Sequence, residues 1–206
     1  MSLIRPALTR RLILAAPAII IAPAVAQPLT RTPSQMEGPY YPNAIPADAD
    51  ADLIRVAGQP RLARGQPLFL EGVVRGPDGS ALPGARVEIW QADAEGIYLH
   101  PGDARLAQRD PGFQGFGRTV ADGAGRYAFR TIRPGLYTGR TRHIHLRAAY
   151  ADGSRPLTTQ VYFPDEPMNA RDPLLRWVRA EAEALLTVRL SAVDGGQRAE
   201  FDIILG

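Results

Sequence analysis

The segment RVEIWQA (residues 86–92) alternates strictly: Val87 and Ile89 fall on one face, Glu88 and Trp90 on the other, as a strand in a two-sheet sandwich requires. HIHLRA (residues 143–148) follows the same period of two, which places His143 and His145 side by side. Around these lie further short apolar or alternating runs: LFLEGVVRG (68–76), DGAGRYAFRTI (122–132), RPGLY (133–137) and LTTQVYF (157–163), with the turn-rich PDGSALPGA (77–85) among them. Short strands punctuated by Gly, Pro and Asp predict an all-β fold, a two-sheet β-sandwich.

Two departures from strands are expected. DPLLRWVRAEAEALL (172–186) predicts the one helix, with Asp172 as N-cap, Pro173 in the first turn, and Leu174, Trp177, Val178 and Leu185 at helical spacing. Residues 27–66 are rich in Pro, Ala and Asp, lack any helical period, and read as an irregular N-terminal arm. RAEFDIIL (198–205) supplies a last strand, so the sandwich domain is taken as residues 67–206.

Residues 1–26 read as an address. A basic stretch precedes an apolar run from Leu12 to Ile21, and Ala24-Val25-Ala26 offers a cleavage site before Gln27. The pair Arg10-Arg11 directly before the apolar run is that of a twin-arginine signal. The expectation is an exported protein, periplasmic or secreted, whose mature chain has no membrane span; an uncleaved anchor is the alternative.

Composition narrows the chemistry. With 206 residues, 45% hydrophobic and 22% charged, the chain suits one soluble domain with a substantial core. Every basic residue is arginine, which excludes a Schiff-base or P-loop lysine. The net charge is only +3 and the arginines alternate with acids, which argues against a nucleic-acid partner. Cysteine is absent, so there are no disulfides, thiolate metal sites or cysteine nucleophile. A metal would have to be held by His, Tyr or carboxylates.

On one strand face His143 and His145 stand about 6–7 Å apart along the chain, within reach of a single ion. Alone, the pair is equally an ordinary couple of half-buried polar residues, and a lone tyrosine is usually a core or edge aromatic of a β protein. The combination is more telling. VEIWQADAEGIYLH (87–100), FGRTVADGAGRYAFRTIRPGLY (116–137) and RTRHIH (140–145), in that order, resemble the intradiol ring-cleavage dioxygenases over roughly residues 37–165. The chain looks nearest to the protocatechuate 3,4-dioxygenase β-subunit type, since the long helical N-terminal region of the catechol and hydroxyquinol enzymes has no counterpart in it.

That resemblance implies a non-haem Fe(III) held by Tyr98, Tyr137, His143 and His145. Phenolates are hard donors suited to a ferric ion, which in turn can ionise them. It implies further that Arg140 stabilises charge on the bound substrate, that Gln160 lies by the metal and the oxygen site, and that Tyr40 and Tyr41 cover the cavity. Tyr137 is expected to leave the metal during turnover. The implied substrates are a catechol and O2, and the implied product is a cis,cis-muconate. His100 has no ligand role by the same pattern, and Arg142, without a family counterpart, is expected at the surface. TGRTR (138–142) is shorter than the corresponding family loop, which predicts a more open pocket. Homo- or hetero-oligomeric assembly is left open. The rival readings are a non-enzymatic transthyretin-like binding module of the cell envelope, which EGVVRGPDGSALPGARVEIW (71–90) also resembles, and the same sandwich with copper or zinc on the histidine pair.

Overall fold

A computed structural model describes residues 27–137 and 139–206; the segment 1–26, on which the export reading rests, lies outside the described residues. Two sheets face each other. One runs β4-β1-β8-β7, with β9 also on β1; the other runs β3-β2-β5-β6. In chain order the strands are β1 (Pro67–Arg75), β2 (Arg86–Trp90), β3 (Phe116–Val120), β4 (Arg126–Ile132), β5 (His143–Ala149), β6 (Leu157–Tyr162), β7 (Arg189–Val193), β8 (Gly196–Glu200) and β9 (Ile203–Ile204). The all-β sandwich expected from the alternation is therefore the fold of the chain.

The period-two pattern fills the space between the sheets. Val87 and Ile89 from β2, with Ile144, Leu146 and Ala148 from β5, meet Leu68, Leu70, Phe129 and Ala199 from the opposite sheet, all buried in one cluster. Each fully buried Leu or Ile contributes about 1.5–3 kcal/mol relative to exposure. Residues of the other parity, Trp90, His143 and His145, are thereby turned to the outer face of their sheet, yet they too are buried. What covers them is the arm. Residues 27–66 contain no strand or helix, and they lie against β6 through Gln35 N–H to Thr158 O (2.9 Å) and Thr159 Oγ1–H to Pro33 O (2.7 Å).

The predicted C-terminal helix is broken. Residues 172–186 form a 3-10 turn (Leu175–Trp177), an extended step at Val178 and Arg179 (ψ 137° and 147°), and a short α1 (Ala180–Ala184). Asp172 does cap the segment, accepting from Leu174 N–H (3.0 Å) and Leu175 N–H (2.9 Å), but Leu175 and Leu186 enter the core beside Tyr162 while Trp177 is 89% exposed. Packing of Leu175 against β6 wins over helical continuity. The last strand is likewise interrupted: after β8 the chain is diverted at Phe201, whose carbonyl accepts from the Tyr127 hydroxyl (2.6 Å), before β9 pairs with β1.

Candidate metal centre

Strand register builds the floor of the site. Trp90 of β2 pairs with His145 of β5, which pairs with Gln160 of β6, and His143 pairs with Tyr162, so these side chains form adjoining rows on one face. The indole of Trp90 stacks on the His145 ring with centroids 4.9 Å apart and planes at 7°. The tyrosines arrive on loops. Tyr98 follows a turn in which the buried Asp93 accepts from Glu95 N–H (3.0 Å), Ile97 N–H (2.9 Å) and Asp110 N–H (2.9 Å). Tyr137 precedes a tight turn closed by Arg140 N–H to Tyr137 O (3.1 Å), with Gly139 at φ +77°, a conformation glycine adopts without strain.

Two glycines bring these loops together. A Cβ on Gly96 would lie 2.0 Å from Leu136 O, and one on Gly135 would lie 2.3 Å from Gly96 N. Backbone packs on backbone there, and the rings of Tyr98 and Tyr137 end edge to face at 5.4 Å.

The four expected residues converge. His143 Nε2 lies 3.2 Å from His145 Nε2 and 3.4 Å from Tyr137 Oη. The other nitrogen of His143, Nδ1, lies 2.7 Å from Thr141 O; it therefore carries the proton, leaving Nε2 as an inward lone pair. Tyr98 Oη and His145 Nδ1 are buried without hydrogen-bond partners. Such groups cost free energy unless a ligand completes them.

Arg140 closes one side. Its Nε donates to Asp172 Oδ2 (2.8 Å), Nη2 to Gln160 Oε1 (2.6 Å), and Nη1 to Tyr137 Oη (3.3 Å). Gln160 also accepts from the Tyr162 hydroxyl (3.0 Å) and donates to Met36 O (2.9 Å), tying the network to the arm. Tyr40 stacks on Tyr98 with centroids 4.3 Å apart, roofing the site, and a Cβ on Gly38 would lie 3.2 Å from His145 Cε1.

The electrostatics are those of uncharged donors awaiting a charge. Burial pushes the Tyr98 phenol well above its ordinary pKa, and neighbouring Tyr137 adds to this. Burial also raises Tyr137, against the opposing pull of Arg140. Burial and then the Arg140 charge hold His143 down at about 3, and His145 is lowered by burial and by His143. Asp172 behaves oppositely: burial disfavours its charge, but N–H groups of Thr141 and Leu175 and the Arg140 guanidinium outweigh that and hold it below the usual carboxylate range.

Other predicted positions divide. Tyr40 covers the site, whereas Tyr41 turns away, donating to Glu88 (3.0 Å) and standing edge-on to Trp90. His100 is half-buried at the margin, bonded to Asn43 Oδ1 (3.2 Å) and Gly102 N–H (2.9 Å). Arg142 is not a free surface residue: it pairs with Glu166 (2.7 Å) and donates to Pro134 O (2.6 Å), because the short loop needs bracing on both sides. Asp172 and Trp90 are the site residues that sequence reasoning assigned only to a helix cap and a strand face.

Comparison with known proteins agrees with this architecture. The dioxygenase family model matches residues 36–206. The chain is 35% identical to the protocatechuate 3,4-dioxygenase beta chain of Burkholderia cepacia, over 86% of this chain and 80% of that one. It is 33% identical to catechol 1,2-dioxygenase 1 of Acinetobacter lwoffii over 66% of this chain, but spans only 48% of that longer protein. Among solved structures, the dioxygenase domain of a dioxygenase carbohydrate-binding protein fusion from Streptomyces sp. SirexAA-E aligns with a TM-score of 0.68 at 35% identity, covering 85% of this chain and 98% of that one. Sandwich and match together define a dioxygenase. The chain belongs to the intradiol ring-cleavage dioxygenase family.

Proposed function

We propose that the protein is a ferric intradiol dioxygenase that opens a catechol between its two hydroxylated carbons with O2, giving a cis,cis-muconate. The observation that carries this reading is the convergence of two buried imidazole Nε2 atoms, 3.2 Å apart, with the buried, unpartnered Tyr98 phenol and the half-buried Tyr137 phenol. Two neutral nitrogens and two ionisable oxygens fit a hard trivalent cation better than zinc, which favours nitrogen and sulfur donors. Tyr98, Tyr137, His143 and His145 would hold the ion. The chemistry such an ion would supply there is Lewis-acid activation of the catechol toward O2.

The chain's own residues then have definite tasks. The Thr141 carbonyl fixes the tautomer of His143 so that Nε2 points inward. The Trp90 stack sets the plane of His145. Tyr137 Oη, the more accessible of the two phenol oxygens and a phenolate if it holds the ion, would accept a proton from the catechol. Arg140 Nη1 lies 3.3 Å from that oxygen, so its cation would stand beside the negative charge that the catechol acquires as it gives up that proton. Tyr40 and the arm exclude water from above.

A transthyretin-like binding module would have no use for the four-donor cluster. The deciding experiment is a visible spectrum of the purified protein with its iron content. Phenolate-to-iron absorption at about one iron per chain, shifting on addition of catechol and followed by O2 uptake, is the expected result. A protein that stays colourless and inert after iron loading would return the binding-module reading.

A further inference from the structure

We propose that Asp172 is a positioning residue for ring cleavage: its buried carboxylate sets the direction of the Arg140 guanidinium and so aims the one remaining arm of that group at Tyr137. The proposal rests on the dioxygenase reading above.

Asp172 is 0% exposed and saturated with donors. Oδ1 accepts from Leu174 N–H (3.0 Å) and Leu175 N–H (2.9 Å), and Oδ2 accepts from Thr141 N–H (2.8 Å) and Arg140 Nε–H (2.8 Å). The first pair is all that a cap requires, and an uncharged Ser or Asn would serve it. The second pair faces the site, across 31 and 32 residues of sequence. A guanidinium is a rigid planar fork. Pinned at Nε by Asp172 and at Nη2 by Gln160 Oε1 (2.6 Å), it has no rotation left, and Nη1 must fall where it does, 3.3 Å from Tyr137 Oη. Gln160 alone would be one pin, and the plane could swing about it. Asp172 thus does for Arg140 what the Thr141 carbonyl does for His143.

The test uses iron-loaded full-length protein. Asp172→Asn keeps one acceptor for the cap but sets an amide NH2 against donors on the other side; Asp172→Ser keeps the cap and removes the partner of Arg140. The expected result is a fall in kcat of about 10- to 100-fold in either variant, with iron content and the visible band at the wild-type level and KM changed less. Arg140→Ala should show a comparable fall, and the Asp172→Asn, Arg140→Ala double variant should be no worse than Arg140→Ala by more than about twofold. Penalties that multiply in the double variant, loss of iron, or activity within about twofold of wild type in both single variants would overturn the proposal. If neither single variant folds, Asp172 is structural and the proposal is equally overturned. Wild-type protein that binds iron yet cleaves no catechol would instead overturn the dioxygenase reading.

Discussion

His143 and His145 place their Nε2 atoms 3.2 Å apart inside the protein, although both side chains are held neutral and at least one of those nitrogens is a bare lone pair. Two buried histidines kept only for packing would each seek a separate donor. The His143 Nε2 lone pair can accept from His145 Nε2–H, which leaves His145 Nδ1 buried without a partner; a cation in place of that proton would draw on both Nε2 atoms, and the two phenols add oxygen donors beside it.

Tyr98→Phe separates function from stability. The hydroxyl is buried with no partner, so its removal from metal-free protein should leave stability unchanged or raise it by about 1 kcal/mol. The stack on Tyr40 at 4.3 Å survives, since only the ring is needed. Iron should be lost along with the visible band. Denaturant melts of the metal-free variant, beside metal analysis after loading, check both halves; a destabilised variant that keeps its iron contradicts the assignment.

Acid should destabilise the metal-free protein in a defined window. His143 is held at about 3 in the folded chain, while an unfolded histidine titrates near its ordinary value of about 6.5. Between those values the unfolded chain binds one proton more, so stability rises with pH there, is fully present above about 6.5, and is lost as pH falls toward 3. From pH 7 to pH 4 this one group accounts for roughly 3 kcal/mol. His145 and Asp172 act in the same direction. His143→Gln should reduce the slope of stability against pH by about one proton, read from denaturation midpoints across that range; an unchanged slope would show that His143 does not titrate as its burial demands.

Gly135→Ala should be among the most damaging single changes. The new Cβ would meet Gly96 N at 2.3 Å and Ala94 O at 2.5 Å, both backbone atoms that cannot step aside. The loops carrying Tyr98 and Tyr137 would be forced apart, at a cost of about 1–3 kcal/mol or more. Because those loops carry both phenols, the variant should lose the phenolate absorption even where it still folds. Spectra and thermal melts together read this out.

How much of this was legible in the sequence follows from the range of the interactions. β1, β2, β4, β5 and β6 are visible because alternation is local, and Val87 and Ile89 sort from Trp90 within five residues. The four candidate donors are visible because their types and order carry the family resemblance. The helix at 172–186 is misread because its continuity is broken by distant partners: Asp172 is engaged by Arg140 and Thr141, and Leu175 by Tyr162. Arg142 is misplaced for the same reason, its partner Glu166 being 24 residues away. No local period reports such pairings.

Gly38→Ala tests whether the arm is a working part of the site. Gly38 sits at φ +73°, where an L side chain costs about 1–2 kcal/mol, and its Cβ would press on His145 Cε1 at 3.2 Å. The arm is anchored on both sides of this point, by Gln160 Nε2–H to Met36 O (2.9 Å) and by the Tyr40 stack, so strain at residue 38 cannot be relieved without loosening one of them. The expected outcome is a stable sandwich with a locally opened arm: faster amide exchange over residues 35–41, unchanged exchange in β1 and β4, and faster removal of iron by a chelator. Equal chelation rates with a loosened arm would show that the roof formed by Tyr40 does not guard the metal, leaving Trp90 and the β5 register to hold His145 by themselves.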